Sequence, residues 1–209
     1  MRLILASTSP RRREILALLG LPFDVIAPEF DERISADLKI DEEVLAFAFG
    51  KAQSVARTNP GGIVIGSDTM ISLEGAKLGK PLDTADARRM LGLLSGKEHE
   101  IYTSVAVVDG SGGPGLRTIE TVHVHMRRFS AEEIERYLAV GESLDKAGAY
   151  SIQGEGRKLI VRMEGDFLAA VGMPLRPIAN YLEKRGVKIA RSVDELDVDR
   201  KYVNRQSFD

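Results

Sequence analysis

Cysteine is absent from this 209-residue chain. That excludes disulfides, zinc–thiolate sites and thiol nucleophiles, and it fits a reducing compartment. Charge of one sign is not in excess either: 29 Lys and Arg face 31 Asp and Glu, a net charge of −2. Backbone-driven binding to nucleic acid needs surplus positive charge, so no nucleic-acid polymer is expected as a partner. Long hydrophobic runs are missing too. Nothing approaches the roughly 18 to 20 apolar residues of a membrane span, and the apolar stretch before Ser7 is too short for a signal peptide. A cytoplasmic protein with no membrane partner is the expectation. There is no G-x-x-x-x-G-K-[ST] phosphate loop and no G-x-G-x-x-G after a strand. Internal repeats and low-complexity tracts are also lacking.

What is present is ordinary for a globular protein: 44% hydrophobic and 29% charged residues. The length suits one domain with a sizeable core. Leu3–Ala6 reads as a buried strand. Ser9-Pro10 then opens a helix, with Ser as cap and Pro at the first helical position, and Gly20 closes it. A second strand is expected at Phe23–Ala27. Val44, Ala48, Ala52 and Val55 recur at helical spacing over Asp41–Arg57, and Gly50 weakens that helix by about 1 kcal/mol. Ile63–Ile65 is expected as a buried strand ending at Gly66-Ser67-Asp68-Thr69, with Met70–Leu73 continuing extended. Glu74-Gly75 makes a hairpin turn. A helix through Ala87, Met90, Leu91 and Leu94 follows. Two long strands, Ile101–Asp109 and Thr118–Met126, flank a glycine-rich loop from Gly110 to Gly115. Ser130 and Glu133 form a capping box that opens a helix stopping at Gly141. A strand at Leu159–Met163 and a closing helix over Pro174–Lys184 complete the pattern. Helices interleave with antiparallel hairpins, so the class is α/β with a mixed sheet flanked by helices. Residues 1–186 are expected as a single domain and 187–209 as a loosely held tail.

The sharpest chemical signal is Ser7-Thr8-Ser9-Pro10-Arg11-Arg12-Arg13. Hydroxyls, a helix N-terminus and a basic cluster together can hold a phosphate chain. The same stretch also reads as a capped helix with solvated arginines. Asp68, at the expected end of an apolar strand, can hold a divalent cation or take a proton from water, or can simply form an Asx turn. Glu32, after the second strand, carries the same ambiguity. Lys51 and Lys80 have apolar or small neighbours; Lys51 lies on the small-residue side of its helix and needs an anionic partner, a triphosphate or a salt bridge. His123 and His125 alternate with Val122, Val124 and Met126. That places both imidazoles opposite the core, on a solvated strand face with no evident third metal ligand. His99 reads as structural. Gln153-Gly154-Glu155-Gly156 is a polar turn whose glutamine can read a base edge.

In combination these segments resemble the Maf family of nucleoside triphosphate pyrophosphatases. The matching stretches are LILASTSPRRREIL, Gly50-Lys51-Ala52, IGSDT at Ile65–Thr69, LGKP at Leu78–Pro81, LSGKEHEIYTSVAV, GESLDKAGAYSIQG and VGMPL at Val171–Leu175. They run in order over about residues 3–183. The resemblance implies two lobes around a deep cleft, similar to inosine triphosphate pyrophosphatases. It also implies cleavage of a nucleoside triphosphate substrate between the α- and β-phosphates, with Mg²⁺ or another divalent cation. Asp68 falls on the family's general base. Ser7, Ser9, Arg11, Arg12 and Lys51 would then grip phosphates, Lys80 would neutralise developing charge, and Glu32 with Asp68 would hold the metal. Ala149-Tyr150-Ser151-Ile152-Gln153-Gly154 resembles the branch acting on dTTP and UTP rather than the branch acting on 7-methyl-GTP. Arg11, Thr69 and Gln153 fall on that branch's specificity positions. Ser151 stands where Gly is usual, and Ser67 where Ala is common. Sanitising of non-canonical nucleotides and a homodimer are compatible with this reading. Two alternatives stay open: a nucleotide-binding regulator of cell division or septum formation without significant turnover, and a phosphatase that removes the terminal phosphate.

Overall fold

One short strand shows how the sheet is buried on both faces around β1. In β1 (Arg2–Ala6), Leu3 and Leu5 join the larger core while Ile4 and Ala6 join a smaller one on the other side. Side chains alternate across a strand, so a continuous apolar run supplies both layers. The structure, a computed structural model, describes residues 2–35, 37–110, 115–190 and 193.

The elements follow in order. After β1 come α1 (Pro10–Ala17), β2 (Asp24–Ile26), α2 (Ile40–Ala56), β3 (Gly62–Leu73), β4 (Ala76–Leu78) and α3 (Thr84–Leu94). Then come β5 (Glu98–Asp109), β6 (Leu116–Met126), α4 (Ala131–Ala139), β7 (Ile160–Glu164), α5 (Phe167–Val171) and α6 (Leu175–Glu183). The sheet has seven strands in the order β2-β1-β3-β5-β6-β7, with β4 paired to β3. β1 runs parallel to β2 and β3; the β3–β4, β3–β5, β5–β6 and β6–β7 pairs are antiparallel. The mixed α/β sheet flanked by helices is therefore present. α2 covers one face through Ala52 and Val55, against Ile4 and Val64. The other face carries the main core, where Leu16, Leu91, Leu94, Leu175, Ile178 and Leu182 are fully buried. Each such side chain contributes about 1.5–3 kcal/mol relative to exposure.

Local signals explain most boundaries. Ser9 caps α1 with Pro10 in its first turn. The Ser130–Glu133 capping box opens α4. Glu74 and Gly75 both have positive φ, 52° and 84°, which the tight β3–β4 turn requires. α5 goes beyond the sequence expectation; Asp166 caps it by accepting from the Leu168 and Ala169 N–H groups at 2.7 and 3.2 Å.

One expectation is corrected. Asp68 does not end a strand. It sits in the middle of the 12-residue β3, because β5 pairs with this strand continuously from Ile63 to Ser72. The polar Ser67-Asp68-Thr69 looks like a loop in sequence, but pairing with Val105, Ser104 and Thr103 of β5 keeps it extended. Val187, Ile189 and Val193 pack against the core, and the Ala190 N–H donates to the Leu19 carbonyl at 3.3 Å. The rest of the expected tail, and Gly112 and Gly113 of the glycine-rich loop, lie outside the described residues. No helix among the described residues is long and apolar enough to cross a membrane.

Candidate active site

The site lies where β3 changes partners. Parallel pairing with β1 ends at Ala6–Gly66, and antiparallel pairing with β4 begins at Ile71–Leu78. Between them, Ser67 to Met70 keep β5 on one side and are left by both strands on the other. The N-terminus of α1 opens into that gap. A cleft of about 660 Å³ results, a size suited to a small-molecule ligand. Its lining includes every residue nominated from the sequence: Ser7, Ser9, Arg11, Arg12, Glu32, Lys51, Asp68, Thr69, Lys80 and Gln153.

Lys51 forms the centre. Gly66 lets α2 pack directly on β3: a Cβ there would lie 2.9 Å from the Ala52 nitrogen and 3.1 Å from the Ala52 Cβ. This approach brings Lys51 Nζ to 2.6 Å from Asp68 Oδ1 and 2.7 Å from Glu32 Oε1. Lys51 and Asp68 are both buried, whereas the Glu32 side chain is 40% exposed. Burial pushes the Asp68 carboxyl above its ordinary value, although Lys51 and Arg12 pull it down. At Glu32 burial also pushes upward, but the combined attraction of Lys51, Lys80 and Arg12 wins and its carboxyl is lowered. Two carboxylates sharing one ammonium are thus shifted in opposite directions, Asp68 upward and Glu32 downward.

Arg12 forms a second cationic arm. Its Nε donates to the Gly172 carbonyl at 2.9 Å and its Nη2 to Thr69 Oγ1 at 3.3 Å. Thr103 donates to the same Thr69 oxygen at 3.2 Å. Gly172 adopts φ 131°, a conformation open to glycine, and its carbonyl also lies 2.8 Å from Ser67 Oγ. The end of α5, the middle of β3 and the first turn of α1 are therefore tied at one carbonyl. Ser7 is buried and its hydroxyl accepts from the Ser9 N–H at 3.1 Å. Arg11 reaches Asp145 at 3.3 Å, and exposed Lys80 adds to the field at Glu32.

Gln153 lies across the cleft in a turn held by side chains that sequence reasoning missed. The Ser151 N–H donates to Tyr137 Oη at 2.9 Å, and the Glu155 and Gly156 N–H groups donate to the Glu142 carboxylate at 3.4 and 3.3 Å. Tyr150, buried below, meets His99 Nε2 at 2.7 Å. Asp145 was also missed; its place in GESLDKAGAY was the sole sequence signal. His123 and His125 sit on the outer sheet face, partly exposed beside Glu98, and outside the cleft. Among the described residues no group of three or more carboxylate or imidazole side chains is placed to hold a metal ion. The cleft instead offers two converging carboxylates. That donor set fits Mg²⁺, which commonly takes one or two carboxylates and completes its shell with water and phosphate oxygens.

Residues 2–185 match the family model described as Maf-like protein. A dTTP/UTP pyrophosphatase of Moorella thermoacetica is 45% identical over 188 residues, covering 90% of this chain and 97% of its own. A dTTP/UTP pyrophosphatase of Bacillus cereus is 39% identical over 191 residues, covering 91% and 99%. Among solved structures, a HAM1 protein from Coxiella burnetii aligns with a TM-score of 0.45 at 18% identity, over 62% of this chain and 74% of that one.

Proposed function

The chain belongs to the Maf-like family, and on that premise we propose that it hydrolyses nucleoside triphosphates, dTTP and UTP foremost, to the monophosphate and pyrophosphate. The curated names of relatives at 39–45% identity support the substrate class. The observation that carries the chemistry is the buried Lys51 ammonium shared by Asp68 and Glu32, 2.6 and 2.7 Å away, beside a helix N-terminus and Arg12.

In this reading the triphosphate lies along the first turn of α1, where Ser7, Ser9 and the helix N-terminus face phosphate oxygens. Arg12, Lys51 and Lys80 offset the charge that develops as the anhydride breaks. Asp68 takes the proton from the attacking water. Its raised pKa makes it a better base than an exposed aspartate, and Lys51 fixes the orientation of its carboxylate. Glu32 and Asp68 would hold Mg²⁺, which when bound supplies charge neutralisation on the phosphates and acidifies water. Gln153 presents its amide to the base. An amide donates to one carbonyl of uracil or thymine and accepts from the ring N3–H, a match that cytosine in the same orientation lacks.

The test is product analysis. Purified protein is incubated with UTP, dTTP, CTP and ATP, with Mg²⁺ or with chelator. Pyrophosphate and monophosphate from UTP and dTTP, dependent on the cation, support the proposal. Orthophosphate as the first product would overturn the cleavage position, and equal rates on all four would overturn the base preference.

A further inference from the structure

Glu32 reaches the cleft from a segment without helix or strand, between β2 and α2. That segment is fastened on both sides of Glu32. On one side, Phe30 fills the space left by Gly50. A Cβ at Gly50 would overlap the ring, with Cδ2 and Cζ 2.6 and 2.7 Å away. The ring also meets Phe47 edge to face at 5.5 Å. On the other side stands an ion pair of two largely buried groups. Lys77 Nζ donates to Glu43 Oε2 at 2.7 Å and to the carbonyl oxygens of Ser35 and Leu38 at 2.7 and 2.6 Å. The Ser35 N–H donates to the second Glu43 oxygen. The Glu43 side chain is fully buried and Lys77 is 14% exposed. All three ammonium protons have acceptors.

One face of α2 organises all of this. Glu43, Phe47 and Lys51 are spaced four residues apart and Gly50 lies three after Phe47, so all four fall on one stripe of the helix. The same face that presents Lys51 to the cleft also anchors the segment that brings Glu32 to it. A glycine inside a helix is costly and a fully buried carboxylate more so. Both are accounted for if the segment's position matters.

We propose that Phe30, Gly50, Glu43 and Lys77 are positioning residues that strap residues 30–35 at both ends and hold Glu32 against Lys51. The functional part of this inference rests on the pyrophosphatase reading of the cleft; the fastening itself does not.

Gly50→Ala is the primary test, because alanine favours helix over glycine while its methyl group evicts Phe30. The turnover number with UTP and Mg²⁺ is expected to fall about ten- to a hundredfold, because a misplacement of about 1 Å can cost about 10²-fold, with the melting temperature held or raised. In a Glu32→Gln background the same substitution should cause no further fall, because the strap acts through Glu32. An additive loss would overturn the proposal. Trypsin supplies a readout that needs no turnover. Arg33, with a side chain 88% exposed, lies between the anchors. Cleavage after it should speed up in Gly50→Ala and in the neutral double variant Glu43→Gln/Lys77→Met. Unchanged cleavage in both would overturn the fastening. If the unmutated protein released no pyrophosphate from UTP, the pyrophosphatase reading would fail, and the cleavage result alone would decide the strap.

Discussion

Replacing Lys51 by methionine removes the ammonium and keeps most of the side-chain volume. Lys51 Nζ sits 2.6 Å from Asp68 and 2.7 Å from Glu32, so both carboxylates lose their nearest cation. Unit charges about 4 Å apart interact by about 4 kcal/mol at an effective dielectric constant near 20. Asp68 is already raised by burial, and without Lys51 it rises further. Its basic form is then scarcer at any given pH. The acid limb of the pH–rate profile for UTP hydrolysis should move to higher pH. A uniform loss of rate with an unmoved acid limb would refute the electrostatic argument. Stability should follow with a definite sign. A carboxyl whose folded-state pKa is raised favours the fold at low pH and loses that contribution as pH rises through the raised value. The variant's deficit should therefore be largest above the raised Asp68 pKa and shrink as pH falls below it. An uncompensated buried charge costs about 3–5 kcal/mol. Asp68 accounts for most of it, because Glu32 is partly exposed and screened. At about 2–4 °C per kcal/mol for a chain of this size, the melting temperature should drop roughly 6–20 °C at the higher pH.

Asp68→Asn keeps the shape and removes the base; turnover should fall about 10²- to 10⁴-fold while calorimetry still detects nucleotide binding, and near-normal turnover would sink the base assignment. Gln153→Leu should erase most of the preference for UTP over CTP, a discrimination of about 10² or more when polar groups are mismatched, so an unchanged ratio of kcat/KM would remove Gln153 from base reading. Burial lowers the His99 imidazole from 6.5 to about 4. A lowered base favours the fold above its unfolded pKa and loses that contribution as pH falls, so about 3 kcal/mol of stability should disappear between those two values. Denaturant melts of His99→Gln should be flatter across that window, and an identical pH slope in both proteins would contradict the buried neutral imidazole.

Much of this protein was legible residue by residue, and the reason is locality. Caps at Ser9 and Ser130, the turn at Glu74-Gly75 and the helical spacing from Val44 to Val55 all express physics confined to a few neighbours. The nominated residues were legible because their chemistry is unusual for their position: a lysine among alanines, a carboxylate after an apolar run, a basic cluster at a helix start. Partnership was not legible. Asp68 looked like a strand end because Ser67-Asp68-Thr69 is polar, and only the register with β5 keeps it mid-strand. Gly50 looked like a mere weakness in α2 until Phe30, twenty residues earlier in the chain, was found in its place. Nothing in the sequence sets Glu43 apart from Asp41 and Glu42 in the first turn of α2, yet it is fully buried against Lys77 from another element. Apart from the place of Glu142 and Asp145 in GESLDKAGAY, the roles of Glu142, Tyr137 and Asp145 are not legible in sequence, since each acts by meeting a group that only the folded chain brings near. Sequence by itself determined which side chains carry charge and where backbone turns; the tertiary structure decided which charges share a buried space, because that depends on contacts between distant segments.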